Sequence, residues 1–152
     1  MVWPEDLFGI ILAVVFGAAI GLEREIRGKA AGLRTNVLIC LGAAVFTIIS
    51  RHMASGQEGS TTRIAAQVVT GVGFLGAGAI IRDRAGVYGL TTAATIWLVA
   101  SIGMACGAGF HLLAAISALT AVLVLIGLGQ IEKPLSRYVK KRKPKNSFEE
   151  RE

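Results

Sequence analysis

Residues 87–131 read VYGLTTAATIWLVASIGMACGAGFHLLAAISALTAVLVLIGLGQI and contain no Asp, Glu, Lys or Arg. A helix needs about 20 apolar residues to cross a bilayer, so this run is more than two spans long. As one straight helix, its apolar part would extend roughly 60 Å, about twice the thickness of the hydrocarbon layer. The chain must fold back, and Gly107-Ala108-Gly109 is the natural break because glycine weakens a helix and permits a tight turn. We therefore predict helices over residues 90–105 and 110–128.

Three further uncharged runs, at residues 7–22, 35–50 and 64–81, each resemble one more span. Of the 152 residues, 53% are hydrophobic and 17% are charged, and the mean hydropathy is +0.62. A soluble domain of this size cannot bury so much apolar surface around one core. The sequence predicts an all-α, polytopic integral membrane bundle of about five transmembrane helices, surrounded by membrane lipid.

The two ends of the chain also carry information. A cleaved signal peptide is the alternative for the first apolar run, but Glu5 and Asp6 precede that run where a basic region is required. We therefore predict an uncleaved first helix and a transmembrane domain over residues 1–131. Residues 132–152 form a basic tail, with KKRKPK at 140–145, which we expect to be disordered and attracted to anionic lipid.

Basic residues orient the predicted helices. Fourteen of the sixteen Lys and Arg residues fall between the first and second spans, between the third and fourth, or after the fifth. Only Arg51 and Arg63 lie in the alternate connections. By the positive-inside rule, the N-terminus lies outside and the C-terminus in the cytoplasm, which requires an odd number of spans.

Small residues recur at helical spacing within these spans. In lipid, a face of small residues lets two helix backbones approach closely, so these positions predict helix packing. Packing inside one bundle is the favoured interpretation, and a homo-oligomer interface is the alternative. The predicted packing positions are Gly9, Ala13, Gly17, Gly21, Gly73, Gly103 and Gly107.

Gly71, Gly73 and Gly76 spell G-x-G-x-x-G, which in other proteins indicates a dinucleotide site. That fingerprint requires a preceding strand and a following helix, and here the motif lies inside an apolar span. We interpret it as helix thinned by glycine for packing, with a locally unwound segment that lines a site as the alternative.

The sequence contains no recognisable catalytic signature. Cys40 and Cys106 are isolated in apolar spans, and His52 and His111 lack neighbouring ligands, so no metal site is predicted. We found no nucleophile elbow, phosphate loop or metalloprotease motif. We therefore expect no enzymatic activity, no cofactor and no nucleic-acid partner.

Polar residues are concentrated near the predicted cytoplasmic rim of the bundle. An ordinary solvated rim would explain many of them. Polarity within or directly beside apolar spans, however, tends to face the bundle interior and to mark helix–helix bonds or functional pathways. The candidate functional cluster comprises Glu23, Arg24, Arg27, Arg34, Thr35, Asn36, Gln67, Arg82, Asp83, Thr91 and Thr92.

Four blocks of sequence carry a family resemblance: GLERE at 21–25, AGLRTN at 31–36, RIAAQVVTGVGFLGAGAI at 63–80 and GLTTAATIW at 89–97. In this order they resemble the MgtC/SapB family, over roughly residues 7–126. The candidate cluster except Asp83, together with Trp97, falls on the family's signature positions. Longer members of the family carry a soluble C-terminal domain, whereas about twenty residues follow the last span here.

The resemblance implies a multi-pass protein of the bacterial inner membrane that is linked to magnesium homeostasis and, in pathogens, to virulence. It also implies partners among larger membrane complexes, such as the ATP synthase or a magnesium-transporting ATPase. Two functions are therefore open: a regulatory protein that binds such a complex, or a small transporter or channel for Mg²⁺ or another cation. Mg²⁺ prefers several oxygen ligands, and the spans at 7–22 and 64–81 contain no carboxylate, which favours the regulatory protein.

Overall fold

The structure, a computed structural model, describes residues 4–53, 61–84 and 86–142, with side chains described for 4–53, 65–84 and 86–130. Within these ranges the chain forms five helices, as predicted, together with one short hairpin. The elements are α1 (Pro4–Ile26), α2 (Leu33–Met53), α3 (Thr61–Gly78), β1 (Ile81–Asp83), β2 (Gly86–Tyr88), α4 (Leu90–Gly107) and α5 (His111–Arg142).

Helix α4 lies at the centre of the bundle and contacts all four other helices. Helices α1 and α2 pack against each other and against α4, α3 packs on α2 and α4, and α5 packs on α1 and α4. Two adjoining groups of buried residues form the core, and they include Ala13, Ile20 and Cys40 in the first and Ala43 and Ile96 in the second. Small and medium side chains dominate, so the helix axes lie close together.

Glycines make the closest of these contacts. A Cβ at Gly9 would lie 2.6 Å from the carbonyl oxygen of Cys106 on α4, and one at Gly17 would lie 2.9 Å from the Cβ of Cys40 on α2. Only a residue without a Cβ allows backbones to approach this closely. The structure therefore places these two predicted positions at helix–helix contacts.

The other predicted packing positions divide into two groups. Gly21 lies against Leu33, Gly103 and Gly107 lie against the α2 backbone, and Ala13 is fully buried. Gly73 is different, because a Cβ there would meet no atom within 4 Å in the described part of the chain. The face of α3 that carries Gly73 points away from the rest of the bundle.

The break between α4 and α5 falls at the predicted glycines. Gly109 has a φ of 86°, its N–H donates to Cys106 O, and the N–H of Phe110 donates to Ala105 O at 2.9 Å. This pair of bonds is the Schellman arrangement, which needs a left-handed residue and therefore favours glycine. Gly28, with a φ of 62°, ends α1 in the same way.

The connection after α3 differs from the sequence prediction. A span was expected over residues 64–81, but α3 ends at Gly78 and the chain turns into the β1–β2 hairpin. Ile81 pairs with Tyr88, and the N–H of Gly86 donates to the Asp83 carboxylate at 3.0 Å. Glycine at position 78 disfavours further helix, and the Asp83 side chain supplies the turn.

Helix α5 extends well beyond the apolar run and reaches Arg142. Residues 132–142 were predicted to belong to a disordered tail, and the structure shows a helical backbone there. Glu, Lys, Leu and Arg have high helix propensity, and a helix that already exists needs no new nucleus to continue. Pro134 opposes this continuation, because proline removes a backbone hydrogen bond from a helix. The remainder of the predicted tail, residues 143–152, lies outside the described residues.

Four described helices are long and apolar enough to cross a membrane: α1, α2, α4 and residues His111–Gln130 of α5. The apolar part of α3, Ala65–Gly78, is shorter. Helix α3 nevertheless leads from the end of α2 beside Arg51 to the start of α4 beside Thr92, and these are opposite ends of the bundle. The predicted helical membrane bundle is confirmed, and its orientation in the membrane stays a prediction.

Candidate functional site

The end of the bundle where α1 finishes and α4 begins contains a buried arginine. Arg24 is only 2% exposed, and its Nη2 donates a hydrogen bond to Thr92 Oγ1 at 2.7 Å. The Arg24 Nε is buried and has no hydrogen-bond partner among the described residues. Burying a guanidinium is costly unless its donors are satisfied. This bond therefore couples α1 and α4, while the Arg24 Nε donor is left without a described acceptor.

An ion pair lies next to Arg24 in the sequence. Glu23 is buried, and its Oε1 lies 2.5 Å from the Nε of Arg27. Arg27 also reaches α5, where its Nη2 donates to the carbonyl oxygen of Ile126 at 3.3 Å. Glu23 Oε2 has no hydrogen-bond partner in the described part of the chain. Arg27 therefore links Glu23, near the end of α1, to α5, and Glu23 Oε2 is left buried without a described hydrogen bond.

The start of α2 completes the arrangement. Asn36 is fully buried, and its Nδ2 donates to the carbonyl oxygens of Ala31 and Gly32 at 2.7 and 2.8 Å. Glu25 Oε2 accepts a hydrogen bond from the N–H of Leu33 at 3.0 Å. A carboxylate at this position accepts a hydrogen bond from a free N–H of α2, and its negative charge is stabilised by the positive end of the helix dipole. Sequence reasoning did not assign this capping role to Glu25.

We call the five residues Glu23, Arg24, Arg27, Asn36 and Thr92 the rim site. They belong to the predicted cluster, and the structure brings them together at the ends of three helices. Other predicted members are exposed neighbours of this group or lie on the hairpin. Arg34, Thr35 and Thr91 are exposed at the first turns of α2 and α4, and Arg82 and Asp83 are exposed on β1.

Gln67 does not lie at the rim site. It lines an apolar groove of about 550 Å³ between α2 and α3, together with Leu38, Gly42 and Phe46 of α2 and Gly71 and Leu75 of α3. Gln67 was included in the predicted cluster because it is an amide well inside an apolar span, where lipid does not favour polarity. The helical path of α3 instead places it several turns away from Gly78, where α3 ends.

A charged cluster at the opposite end of the bundle was missed by sequence reasoning. Asp6 is 2% exposed. It forms an ion pair with Arg51 and a hydrogen bond with His52, whose Nε2 lies 2.7 Å from Asp6 Oδ2. Nearby, the rings of Phe8 and His111 meet edge to face, with centroids 5.0 Å apart. The sequence did contain a signal for this cluster, because Asp6 lies at the start of the first span and Arg51 and His52 lie at the end of the second.

The rim site offers hydrogen-bonding and charged groups. Its groups are donors and acceptors at the ends of packed helices, surrounded by exposed basic and hydroxyl side chains. In the part of the chain that the structure describes, no three His, Cys, Asp or Glu residues are grouped to hold a metal ion. Polar groups placed in this way suit hydrogen bonds to another membrane protein or to a headgroup.

Fold and site together define a multi-pass helical membrane protein with a polar cluster at one end of the bundle. Residues 10–134 match the model of the MgtC family. The chain belongs to the MgtC family.

Several curated relatives are similar to this chain. Protein MgtC of Salmonella typhimurium is 50% identical over 103 residues, which is 68% of this chain and 43% of the relative. YhiD of Escherichia coli K12, named as a candidate magnesium transporter, is 47% identical over 127 residues, or 80% of this chain and 59% of the relative. Protein MgtC of Brucella abortus is 46% identical over 123 residues, or 81% and 49%.

The chain spans about half the length of the curated relatives it matches. No solved structure matches it.

Proposed function

We propose that this protein is a regulatory component of the bacterial inner membrane that acts during magnesium limitation by binding a larger membrane complex. The proposal rests on the rim site, where the hydrogen bond between Arg24 and Thr92 joins the end of α1 to the start of α4. Near this hydrogen bond, the side chains of Arg34, Thr35 and Thr91 are exposed. Fixed helix ends that present polar side chains outward form a recognition surface.

Magnesium enters through the relatives and the family resemblance. The Escherichia coli relative YhiD carries a magnesium-transporter name, and MgtC proteins of Salmonella and Brucella are 46–50% identical to this chain over the matched regions. The resemblance directs the search for a partner to the ATP synthase and to magnesium-transporting ATPases. Both are inner-membrane complexes that would present helices at the depth of the rim site.

Transport of Mg²⁺ is the alternative function. A hard divalent cation needs several oxygen ligands along its path. The carboxylates of α1 lie at its two ends, and both buried ones are ion-paired, Asp6 with Arg51 and Glu23 with Arg27. This placement favours recognition over conduction.

Two experiments separate the alternatives. Native membranes would be solubilised gently and the full chain recovered with its partners, comparing wild type with Arg34→Glu and with the control Lys29→Glu. Both residues are exposed bases on the same side of the bundle. We expect Arg34→Glu to lose the partner and Lys29→Glu to retain it, and recovery of no partner by wild type would contradict the proposal.

The second experiment uses purified protein in liposomes, assayed for Mg²⁺ and proton flux. We expect no flux above empty liposomes. Robust flux that Glu23→Gln abolishes would establish transport and overturn the regulatory function.

A further inference from the structure

The β1–β2 hairpin exposes apolar side chains on both of its faces. Ile81 and Tyr88 are paired across the two strands and therefore lie on the same face, where they are 63% and 52% exposed. Val87 lies on the opposite face and is 49% exposed. A Cβ at Gly89 would collide with the carbonyl oxygen of Ala79, so the hairpin is packed closely against the point where α3 ends and α4 begins. Its depth in the membrane is therefore set by the bundle.

The length of α3 indicates what that depth is, because α3 connects opposite ends of the bundle. The apolar part of α3, Ala65–Gly78, is about 21 Å long at the rise of an α-helix, whereas the hydrocarbon layer is about 30 Å thick. Helix α3 alone therefore leaves about 9 Å of the layer uncovered. The residues that follow Gly78 are Ala79, Ile80 and Ile81, all of which are apolar. These residues supply the missing length if the hairpin lies at the boundary of the hydrocarbon layer.

The backbone of the hairpin suits this boundary better than the hydrocarbon interior or bulk water. β1 and β2 form a two-stranded sheet, so in the described structure the outer edge of each strand has no neighbouring strand. Unpaired strand edges do not occur in lipid-exposed hydrocarbon, because nothing there satisfies their N–H and C=O groups. Bulk water, in turn, leaves the apolar side chains of Ile81 and Val87 unburied. The interfacial layer hydrates the edges and accepts the apolar side chains, and tyrosine is enriched there.

The charges of the hairpin indicate which lipid it meets. Arg82 and Arg84 are exposed, and the acid between them, Asp83, accepts a hydrogen bond from the Gly86 N–H within the turn. We propose that the hairpin lies in the interfacial layer and binds anionic phospholipid, with Ile81 beside the acyl chains and the two arginines on phosphate groups. The apolar stem of arginine allows its charged end to reach the headgroups, and a basic residue near an anionic surface attracts such lipids. The inference does not depend on the function proposed for the rim site.

Depth-dependent fluorescence quenching tests the position of the hairpin. The full chain would be reconstituted in vesicles of phosphatidylcholine and phosphatidylglycerol in equal parts, with a fluorophore on Ile81→Cys, on Tyr88→Cys or on the control Lys29→Cys. Lys29 is exposed in the connection between α1 and α2 at the same end of the bundle, and the native cysteines are buried. We expect nitroxides near the top of the acyl chains to quench the fluorophore at positions 81 and 88. Iodide on both sides of the vesicles should quench it at position 29.

Two results of this experiment would overturn the proposal. If a thinner bilayer surrounds α3, or if the hairpin binds a protein that the vesicles lack, positions 81 and 88 lie in water and iodide quenches them as strongly as position 29. If the hairpin enters the hydrocarbon interior, nitroxides at the ends of the acyl chains quench more strongly than those near the top. Agreement between positions 81 and 88, with unchanged helical content, would show that the result does not come from misfolding of one variant.

The selectivity for anionic lipid is tested with the fluorophore at position 81. Nitroxides on phosphatidylglycerol should quench it more than the same nitroxides on phosphatidylcholine, because each arginine should enrich anionic lipid roughly fivefold near the hairpin. Arg82→Gln combined with Arg84→Gln should remove most of this difference, whereas the control Lys29→Gln should preserve it. Equal quenching by the two lipids before any arginine is replaced would overturn the binding of anionic lipid. Equal loss of selectivity in Lys29→Gln would overturn the role of the two hairpin arginines.

Discussion

At the residue scale, the hydroxyl of Thr92 is the described partner of a buried guanidinium. Thr92→Val keeps the shape of the side chain but leaves Arg24 Nη2 without this acceptor. Leaving a buried charged donor unsatisfied costs about 1–3 kcal/mol. We expect the variant to unfold at a lower temperature in detergent than wild type, as followed by circular dichroism.

Thr120→Val is the matched control for this prediction. Thr120 is exposed on α5, and its hydroxyl donates to Ile116 O of its own helix. Its removal should change the free energy of unfolding by less than about 0.5 kcal/mol, as is usual at surface positions. Equal destabilisation of the two variants would show that the Arg24–Thr92 bond contributes nothing specific.

At the scale of elements, substitution of glycines tests which helix faces are in contact and which are exposed. A Cβ at Gly103 would lie 2.1 Å from the carbonyl oxygen of Cys40, a backbone atom that cannot move aside. Gly103→Ala should push α4 away from α2 and destabilise the bundle by about 1–3 kcal/mol. Gly73→Ala meets no such contact and should be neutral, or stabilising by up to about 1 kcal/mol, because alanine favours helix. Thermal unfolding of the two variants in one detergent gives the comparison.

The turn between α4 and α5 was predictable because its cause is local. Gly109 must adopt a positive φ, and the sequence places glycine there. The β1–β2 hairpin was not predictable in the same way, since strands of three residues are too short to show a period. Helix number and break points therefore followed from composition, whereas the details of the polar connections did not.

The sequence predicted which residues belong to the rim site in part, but it did not predict which of them form hydrogen bonds with each other. Charges beside apolar spans marked Glu23 and Arg24 as polar groups that lipid would exclude. The partner of Arg24 is Thr92, which is 68 positions away, so only the packing of α1 on α4 identifies it. Gln67 carried the same polar signal and lies in a different place, because hydropathy does not specify the side of a helix that faces its neighbours.

At the scale of the whole molecule, a cluster of polar and charged residues joins α1 to α2 at the end of the bundle opposite to the rim site. Asp6 links the start of α1 to Arg51 and His52 at the end of α2. Asp6→Asn removes the buried charge that Arg51 and His52 face, and the exposure of those two side chains limits the cost to about 1–2 kcal/mol. Glu5→Gln removes the same charge from the adjacent exposed residue and should have little effect. A chemical denaturation series of both variants would test the difference, and equal midpoints would contradict it.

The predicted orientation of the whole chain rests on the distribution of basic residues and the alternating direction of the helices. Position 84 in the hairpin turn and position 110 between α4 and α5 lie at opposite ends of α4, and both are exposed. The native cysteines are buried, so single cysteines at these positions can be labelled selectively. In spheroplasts, a membrane-impermeant maleimide should label Phe110→Cys and leave Arg84→Cys unlabelled, and inverted vesicles should give the reverse. Labelling of both variants from one side would mean that α4 does not cross the membrane, and the reversed pattern would mean that the positive-inside rule assigns this chain the wrong orientation.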